Sequence, residues 1–246
     1  MEEVHAATAT SRRPLRRRYP WLVPGGLLLI LTLLTINVLT DGPLIAADRW
    51  IRKVVQAQAT SATWKWLGDA DYSPAMLLVR IGGFHIAISV LVLAAVVVAA
   101  RRRTLRPLFT AGVGVTLLLG IVIPAKILIG RVHPGHGSLA PGSLGAFPSG
   151  HTTTACVCYV LAVLLLVPDP PARIRRVALA AVSLLGFLVG AALVWCDFHW
   201  FTDVVAGWAL AALIVQLTVR LTRKKASPDG SRLEQPAESR ASPVAR

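Results

Sequence analysis

Three polar segments, each beside an apolar stretch, contain side chains that could take part in acid–base or nucleophilic chemistry. The segments are KILIGRVHP with Lys126 and Arg131, FPSGH with Ser149 and His151, and HWFTD with His199 and Asp203. Taken singly, they could be bases at a membrane interface, a helix N-cap and a surface pair. Taken together, they supply cations and a helix start for a phosphate, and two imidazoles with a carboxylate. That combination suits transfer of a phosphoryl group to a histidine, followed by hydrolysis.

The spacing within two of these segments has a chemical meaning. His199 and Asp203 are four residues apart, so in a helix the carboxylate can reach an imidazole N–H. An imidazole that a carboxylate orients and makes more basic is an activated nucleophile. Ser149 and Gly150 precede His151 at the predicted start of a helix, where free backbone N–H groups can bind an anion.

The composition indicates that much of the chain lies in a lipid bilayer. Of the 246 residues, 54% are hydrophobic and 15% are charged, whereas a soluble domain has roughly a quarter charged residues. The mean hydropathy is +0.61. The net charge of +14 would fit nucleic-acid binding. However, the basic residues cluster between apolar runs, as the positive-inside rule and contact with anionic lipids require, so no nucleic-acid partner is predicted.

The apolar runs predict six membrane-spanning helices. Their predicted bounds are 19–40, 74–100, 107–125, 151–167, 177–196 and 204–219, with an amphipathic interfacial helix within 41–72. The basic patches lie at 12–18, 101–106, 173–176 and 220–225. All four fall on one side of such a bundle, which the positive-inside rule makes cytoplasmic. Both termini are therefore expected in the cytoplasm, and the three polar segments are expected at the outer face of the cell membrane.

The three polar segments resemble the motifs of the type 2 phosphatidic acid phosphatase superfamily, a family of membrane phosphatases. Its motifs are Lys, six residues, Arg-Pro; then Pro-Ser-Gly-His; then Ser-Arg, five residues, His, three residues, Asp. The resemblance covers about residues 75–220, and FPSGH followed by HWFTDVVAG is its most specific part. It implies an all-α integral membrane bundle of six transmembrane helices that hydrolyses a lipid phosphomonoester or diphosphate, of polyprenyl diphosphate or phosphatidate type. No metal and no other cofactor is implied.

The resemblance also implies a role for each matching residue. His199 would attack phosphorus, and Asp203 would hold its imidazole in the productive tautomer. His151 would protonate the leaving group and later assist the attack of water. The residues implied to bind phosphate oxygens are Lys126, Ser149 and Gly150, to which we add His133 and Arg131 from the first motif.

Two positions depart from the family pattern. The first-motif arginine is His133 here, although Arg131, two residues earlier, could supply a guanidinium. The third-motif arginine, six residues before His199, is Leu193, which cannot bind phosphate. Arg80 is an auxiliary candidate, and its alternative role is a base at the membrane interface. These departures leave open a second interpretation, a catalytically reduced relative that binds lipid phosphate or serves as a scaffold.

The predicted organisation has four parts. They are a cytoplasmic basic N-terminus at 1–18, a first transmembrane helix with an outer interfacial segment at 19–72, a phosphatase core of five transmembrane helices at 73–222, and a disordered cytoplasmic tail at 223–246. The expected partners are the lipid phosphate substrate and the bilayer, and the oligomeric state stays open. Low Lys with abundant Ala, Arg and Val indicates a bacterial coding bias.

Overall fold

The computed structural model describes residues 21–68, 71–167 and 171–223, which form helices and irregular connections. The α-helices are α1 (Leu22–Leu39), α2 (Leu44–Ala59), α3 (Pro74–Gly82), α4 (Phe84–Arg102), α5 (Arg106–Ile129), α6 (Gly150–Leu166), α7 (Ala172–Trp195) and α8 (Phe201–Thr222). One 3₁₀ turn covers Lys65–Leu67. The predicted basic N-terminus at 1–18 and the tail beyond residue 223 lie outside the described residues.

Six of these helices correspond to the predicted spans. Helices α1, α4, α5, α7 and α8 are long and apolar enough to cross a membrane, and α6 is a shorter apolar helix of 17 residues. Their outer surfaces carry many exposed large apolar side chains, which suit contact with lipid. The all-α membrane bundle predicted from the sequence is therefore confirmed.

The second predicted span, at 74–100, was wrong as one continuous helix. Gly83 adopts an extended conformation, with ψ of 144°, and separates α3 from α4. Helix α3 has its own start, because Ser73 Oγ accepts a hydrogen bond from the Met76 N–H at 3.3 Å and Pro74 occupies the first turn. The glycine before the break permits close packing, since an added Cβ at Gly82 would lie 2.4 Å from Val189 Cγ1 of α7. As a result α3 packs on α6 and α7, and α4 alone is long enough to span.

Helix α6 lies at the centre of the bundle, in contact with α3, α4, α5, α7 and α8. Its start approaches α8 closely at Gly207, where an added Cβ would lie 3.1 Å from the Ser149 carbonyl oxygen and 3.0 Å from Thr152 Cβ. Small residues allow such close approach between membrane helices. The Thr153 hydroxyl lies 2.7 Å from the Ser149 carbonyl oxygen and 3.4 Å from the Gly207 carbonyl oxygen of α8. These contacts fix the start of α6 beside the start of α8.

The amphipathic helix predicted within 41–72 is α2. It packs against α7 and α8, close to the segment that joins these two helices. Its exposed apolar side chains include Trp50 and Val54. Several of its polar side chains contact protein, as described below.

Candidate active site

The three polar segments converge where α5 ends and where α6 and α8 begin. The Ser149 N–H donates to the backbone carbonyl of Asp203 at 3.0 Å, which joins the starts of α6 and α8. The Ala146 N–H donates to the Arg131 carbonyl at 2.7 Å, which joins the end of α5 to the segment before α6. Residues far apart in the chain therefore form one polar cluster at this end of the bundle.

His199 and Asp203 form a buried pair at the centre of the cluster. His199 Nδ1 lies 3.3 Å from Asp203 Oδ2, and the imidazole side chain is 6% exposed. The same carboxylate oxygen accepts a hydrogen bond from the Trp200 N–H at 3.1 Å, which fixes the first turn of α8. A histidine bound at Nδ1 by a carboxylate has Nε2 available for another partner.

Burial keeps this histidine uncharged. It lowers the pKa of His199 below the ordinary value, and the positive charges of Lys126 and Arg131 act in the same direction. Asp203 opposes the shift through its hydrogen bond and its negative charge. The imidazole is therefore neutral at pH 7 and carries a lone pair on one ring nitrogen.

Two more histidines lie beside His199. The ring centroid of His133 is 5.7 Å from that of His199, and burial lowers the pKa of His133, as do the nearby His199 and Lys126. His151 lies in the first turn of α6, within electrostatic range of both His199 and Lys126. The N–H groups of Gly150 and His151 belong to the first turn of a helix, which has no preceding carbonyls to bind them.

Lys126 reaches into the cluster from the last turn of α5. Its Nζ donates to the Gly145 carbonyl at 2.6 Å and lies 3.4 Å from the Ala146 carbonyl. Because an ammonium group has three N–H donors, one remains beyond these two contacts. The side chain passes close to Gly150, where an added Cβ would lie 3.2 Å from Lys126 Cε.

Arg131 differs most from its sequence-based interpretation. Its Nη1 contacts Asp203 Oδ1 and donates to Thr202 Oγ1 at 2.7 Å, while Nη2 donates to Asp48 Oδ2 at 2.6 Å. The guanidinium stacks 5.3 Å from the centre of the Trp200 ring, and the side chain is 8% exposed. Both ends of the guanidinium are thus held by carboxylates, which favours a positioning role over phosphate binding.

The remaining predicted residues have local partners. Ser149 caps α6, since its Oγ accepts from the Thr152 N–H at 3.4 Å. Arg80 is directed elsewhere: it lies 3.6 Å from Asp71 and stacks on the Tyr72 ring. Leu193 is fully buried in the apolar core, so this position offers no cation to the cluster.

Asp48 and Thr202 were missed by the sequence analysis as members of this cluster. Asp48 belongs to α2 and is 1% exposed. A signal did exist, because Asp48, Arg52 and Gln56 recur at four-residue intervals and so form a polar stripe on one face of α2. Across the described ranges, no group of three or more His, Cys, Asp or Glu side chains is arranged to hold a metal ion.

Comparisons with known proteins agree with the motifs. Residues 107–227 match the sequence pattern of the PAP2 superfamily. Phosphatidylglycerophosphatase B of Bacillus subtilis (strain 168) is 31% identical over 91 residues, which are 36% of this chain and 45% of that protein, so the match spans less than half of the relative. The crystal structure of a transmembrane PAP2 type phosphatidylglycerolphosphate phosphatase from Bacillus subtilis is similar with a TM-score of 0.69 at 24% identity, covering 80% of this chain and 94% of that one. This likeness agrees with the multi-pass membrane fold.

Proposed function

We propose that this chain, whose residues 107–227 match the PAP2 superfamily, is a membrane phosphatase that hydrolyses the phosphomonoester or diphosphate of a lipid. One observation carries the proposal: the buried His199–Asp203 pair lies beside Lys126, with His133 and His151 close by. A His–Asp pair with only a structural role has no need of a neutral imidazole or of neighbouring proton donors. A nucleophilic histidine needs both.

The proposed reaction has two displacement steps at phosphorus. In the first, Nε2 of His199 forms a bond to phosphorus while the bond to the leaving oxygen breaks, and His151 donates a proton to that oxygen. In the second, water attacks the phosphohistidine, His151 accepts its proton, and inorganic phosphate leaves with His199 restored. Asp203 keeps Nδ1 occupied throughout, so that Nε2 is the reacting nitrogen.

Side-chain and backbone donors would stabilise the charge on the transferred phosphoryl group. Lys126 has one N–H beyond its two loop carbonyls, and the first N–H groups of α6 carry the positive end of the helix dipole. These groups supply the positive charge that a bound metal would otherwise provide, so we propose a metal-independent reaction. Chelation by EDTA is expected to leave the rate unchanged.

The substrate and the membrane face are part of the proposal. The name of the Bacillus relative points to a phosphatidylglycerophosphate-type lipid, alongside phosphatidate and polyprenyl diphosphate. The outward orientation is supported by the basic side chains at the opposite ends of the helices. These are Arg101, Arg102 and Arg103 at the end of α4, Arg173, Arg175 and Arg176 at the start of α7, and Arg223 after α8.

The function and the orientation can be tested in one experiment. Spheroplasts that express the chain would receive a water-soluble, short-chain phosphatidylglycerophosphate, phosphatidate or prenyl diphosphate, and released phosphate would be measured before and after lysis. We expect release from at least one substrate before lysis, above that of spheroplasts with the His199→Ala variant. Release only after lysis would contradict the outward site. Equal release from both strains, with both proteins folded, would contradict the phosphatase activity.

One observation favours a second candidate, a reduced relative that binds lipid phosphate without efficient turnover. Leu193 is buried where the family pattern has an arginine, and Arg131 is held by two carboxylates, so the cluster has few free guanidinium donors. This candidate predicts that the same short-chain lipids bind to the purified protein in nanodiscs while no phosphate is released.

His133 provides a prediction about pH. Because burial lowers its pKa, His133 is neutral at pH 7 and gives a bound phosphate no charge, whereas acid restores the charge. KM should therefore rise with pH in the natural chain. In the His133→Arg variant the charge is permanent, and KM at neutral pH should fall about tenfold, as expected for one charge-assisted hydrogen bond.

The measurement is the ratio of KM between the natural chain and His133→Arg from pH 5 to 8, because titration of the substrate cancels in that ratio. We expect the ratio to grow as pH rises. The matched control is His85→Arg, at an exposed histidine in the first turn of α4, which should leave KM unchanged. A ratio that is constant with pH would contradict the role of His133.

A further inference from the structure

Asp48 connects α2 to the first turn of α8. Its Oδ1 accepts a hydrogen bond from the Thr202 N–H at 3.0 Å, and its Oδ2 accepts from the Thr202 hydroxyl at 2.5 Å. The second residue of a helix has no intrahelical partner for its N–H, so Asp48 caps α8 from a different helix. Its negative charge also faces the positive end of the α8 dipole. This carboxylate lies 154 residues before Thr202 in the chain.

The same carboxylate holds Arg131. Nη2 of Arg131 donates to Asp48 Oδ2 at 2.6 Å, while Nη1 contacts Asp203, the partner of His199. A continuous chain of contacts therefore runs from Asp48 through Arg131 and Asp203 to the proposed nucleophile. Every side chain in it is buried.

Two further contacts keep α2 in this place. Arg52, one turn after Asp48, donates from Nε and Nη2 to the two carboxylate oxygens of Asp197 at 2.7 and 2.6 Å. Gln56, another turn along, donates to the Trp195 carbonyl at 3.1 Å, at the end of α7. The polar stripe of α2 thus binds the end of α7, the segment before His199 and the start of α8.

We propose that Asp48 is a positioning residue for the phosphatase reaction, acting through Arg131 to fix the orientation of Asp203 and hence of His199. The proposal rests on the proposed function. Asp48 touches none of the reacting groups itself. It balances one end of a guanidinium whose other end binds the Asp203 carboxylate, so that Asp203 can keep Oδ2 directed at the imidazole.

The charges explain why removal of Asp48 should affect catalysis. The buried group contains two carboxylates, Asp48 and Asp203, around one guanidinium. Without Asp48, the positive charge of Arg131 is balanced by Asp203 alone, which competes with the contact between Asp203 and His199. A small displacement of a reacting group is enough to lower a rate substantially.

The test compares the natural chain with Asp48→Asn in nanodiscs, with Asp41→Asn as matched control. Asn has nearly the shape of Asp but no charge, and Asp41 is exposed between α1 and α2, with a φ of 48° that Asn tolerates. We expect Asp48→Asn to lower kcat about 10- to 100-fold with little change in KM. Asp41→Asn should have no effect. An unchanged kcat for Asp48→Asn would overturn the proposal.

A double variant separates positioning from a general loss of stability. If Asp48 acts through Arg131, then Asp48→Asn combined with Arg131→Gln should have a kcat no lower than Arg131→Gln alone, because the unbalanced charge is gone. Multiplicative losses in kcat would show that the two residues act independently and would overturn the proposal. This comparison holds even where Asp48→Asn alone folds poorly.

A third measurement does not depend on activity. The ring nitrogens of His199 can be followed by 15N NMR during a pH titration, with the signal identified by its loss in His199→Ala. Asp203, Lys126 and Arg131 are the charged groups that act on this imidazole, together with the neighbouring His133 and His151.

The unbalanced charge of Arg131 disfavours the charged form of His199. In the Asp48→Asn variant, the His199 imidazole should therefore titrate at lower pH than in the natural chain. An identical titration would overturn the proposal. If the natural chain shows no phosphatase activity, the proposed function is refuted. The titration then still decides whether Asp48 acts on His199.

Discussion

Replacement of His199 by alanine is expected to abolish phosphate release, with a loss of at least about 10⁴-fold in kcat, as for removal of a covalent nucleophile. The methyl group of alanine cannot form a bond to phosphorus. Among the described residues of this cluster, no other histidine is hydrogen-bonded to a carboxylate. The loss should appear in kcat, because the proposed phosphate donors, Lys126 and the start of α6, are unchanged in this variant.

The sharper measurement is the covalent intermediate itself. Brief mixing with a substrate labelled at phosphorus, followed by alkaline quenching, should trap an acid-labile and alkali-stable label on the natural chain and none on His199→Ala. The matched control is His85→Ala, an exposed histidine in the first turn of α4, which should retain the label and the rate. A label that persists in His199→Ala would place the nucleophile elsewhere.

Replacement of His151 by glutamine is expected to have the second-largest effect, about 10²- to 10⁴-fold on kcat for a lipid alkyl phosphate. The reason is that an alkoxide leaving group needs a proton as its bond to phosphorus breaks. A substrate with an acidic leaving group, such as p-nitrophenyl phosphate, does not need that proton. The phosphohistidine should therefore form almost normally from this substrate in the variant, and its hydrolysis should become rate-limiting.

The comparison of the two substrates in rapid-quench experiments distinguishes a proton-donor role of His151 from a role in phosphate binding alone. A burst of nitrophenol, one per protein, followed by slow turnover is expected for His151→Gln. Equal losses in the burst rate for both substrates would contradict a proton-donor role and indicate that His151 only binds phosphate. His85→Gln, at an exposed histidine in the first turn of α4, serves as the control that should leave both substrates unaffected.

The sequence was informative where spacing alone determines proximity. His199 and Asp203 lie one helical turn apart, and a helix start at Gly150 follows from the capping residue Ser149, so these short-range features could be predicted. The fold class followed from apolar runs of sufficient length, because a bilayer requires helices that satisfy their own backbone groups.

Long-range partners could not be predicted in this way. Arg131 was interpreted as a cation for phosphate, because its partner Asp48 lies 83 residues earlier, in the predicted amphipathic interfacial helix, and nothing in the spacing connects the two. Amphipathicity alone does not distinguish a polar face in water from one that binds protein. The break at Gly83 was missed for a related reason, since glycine is common inside membrane helices and its presence alone does not predict an interruption.

The hydrogen bond between the Ala146 N–H and the Arg131 carbonyl has a consequence for how this chain tolerates insertions. The chain passes residue 131, keeps His133 beside His199, and returns to the same point at residue 146, while 140–144 in between are exposed. Added residues there would extend a loop whose two ends are already joined, and each doubling of loop length costs only about 0.6 kcal/mol of closure entropy. A reporter peptide or an affinity tag inserted in this loop should therefore cost little stability, and it would serve purification and imaging.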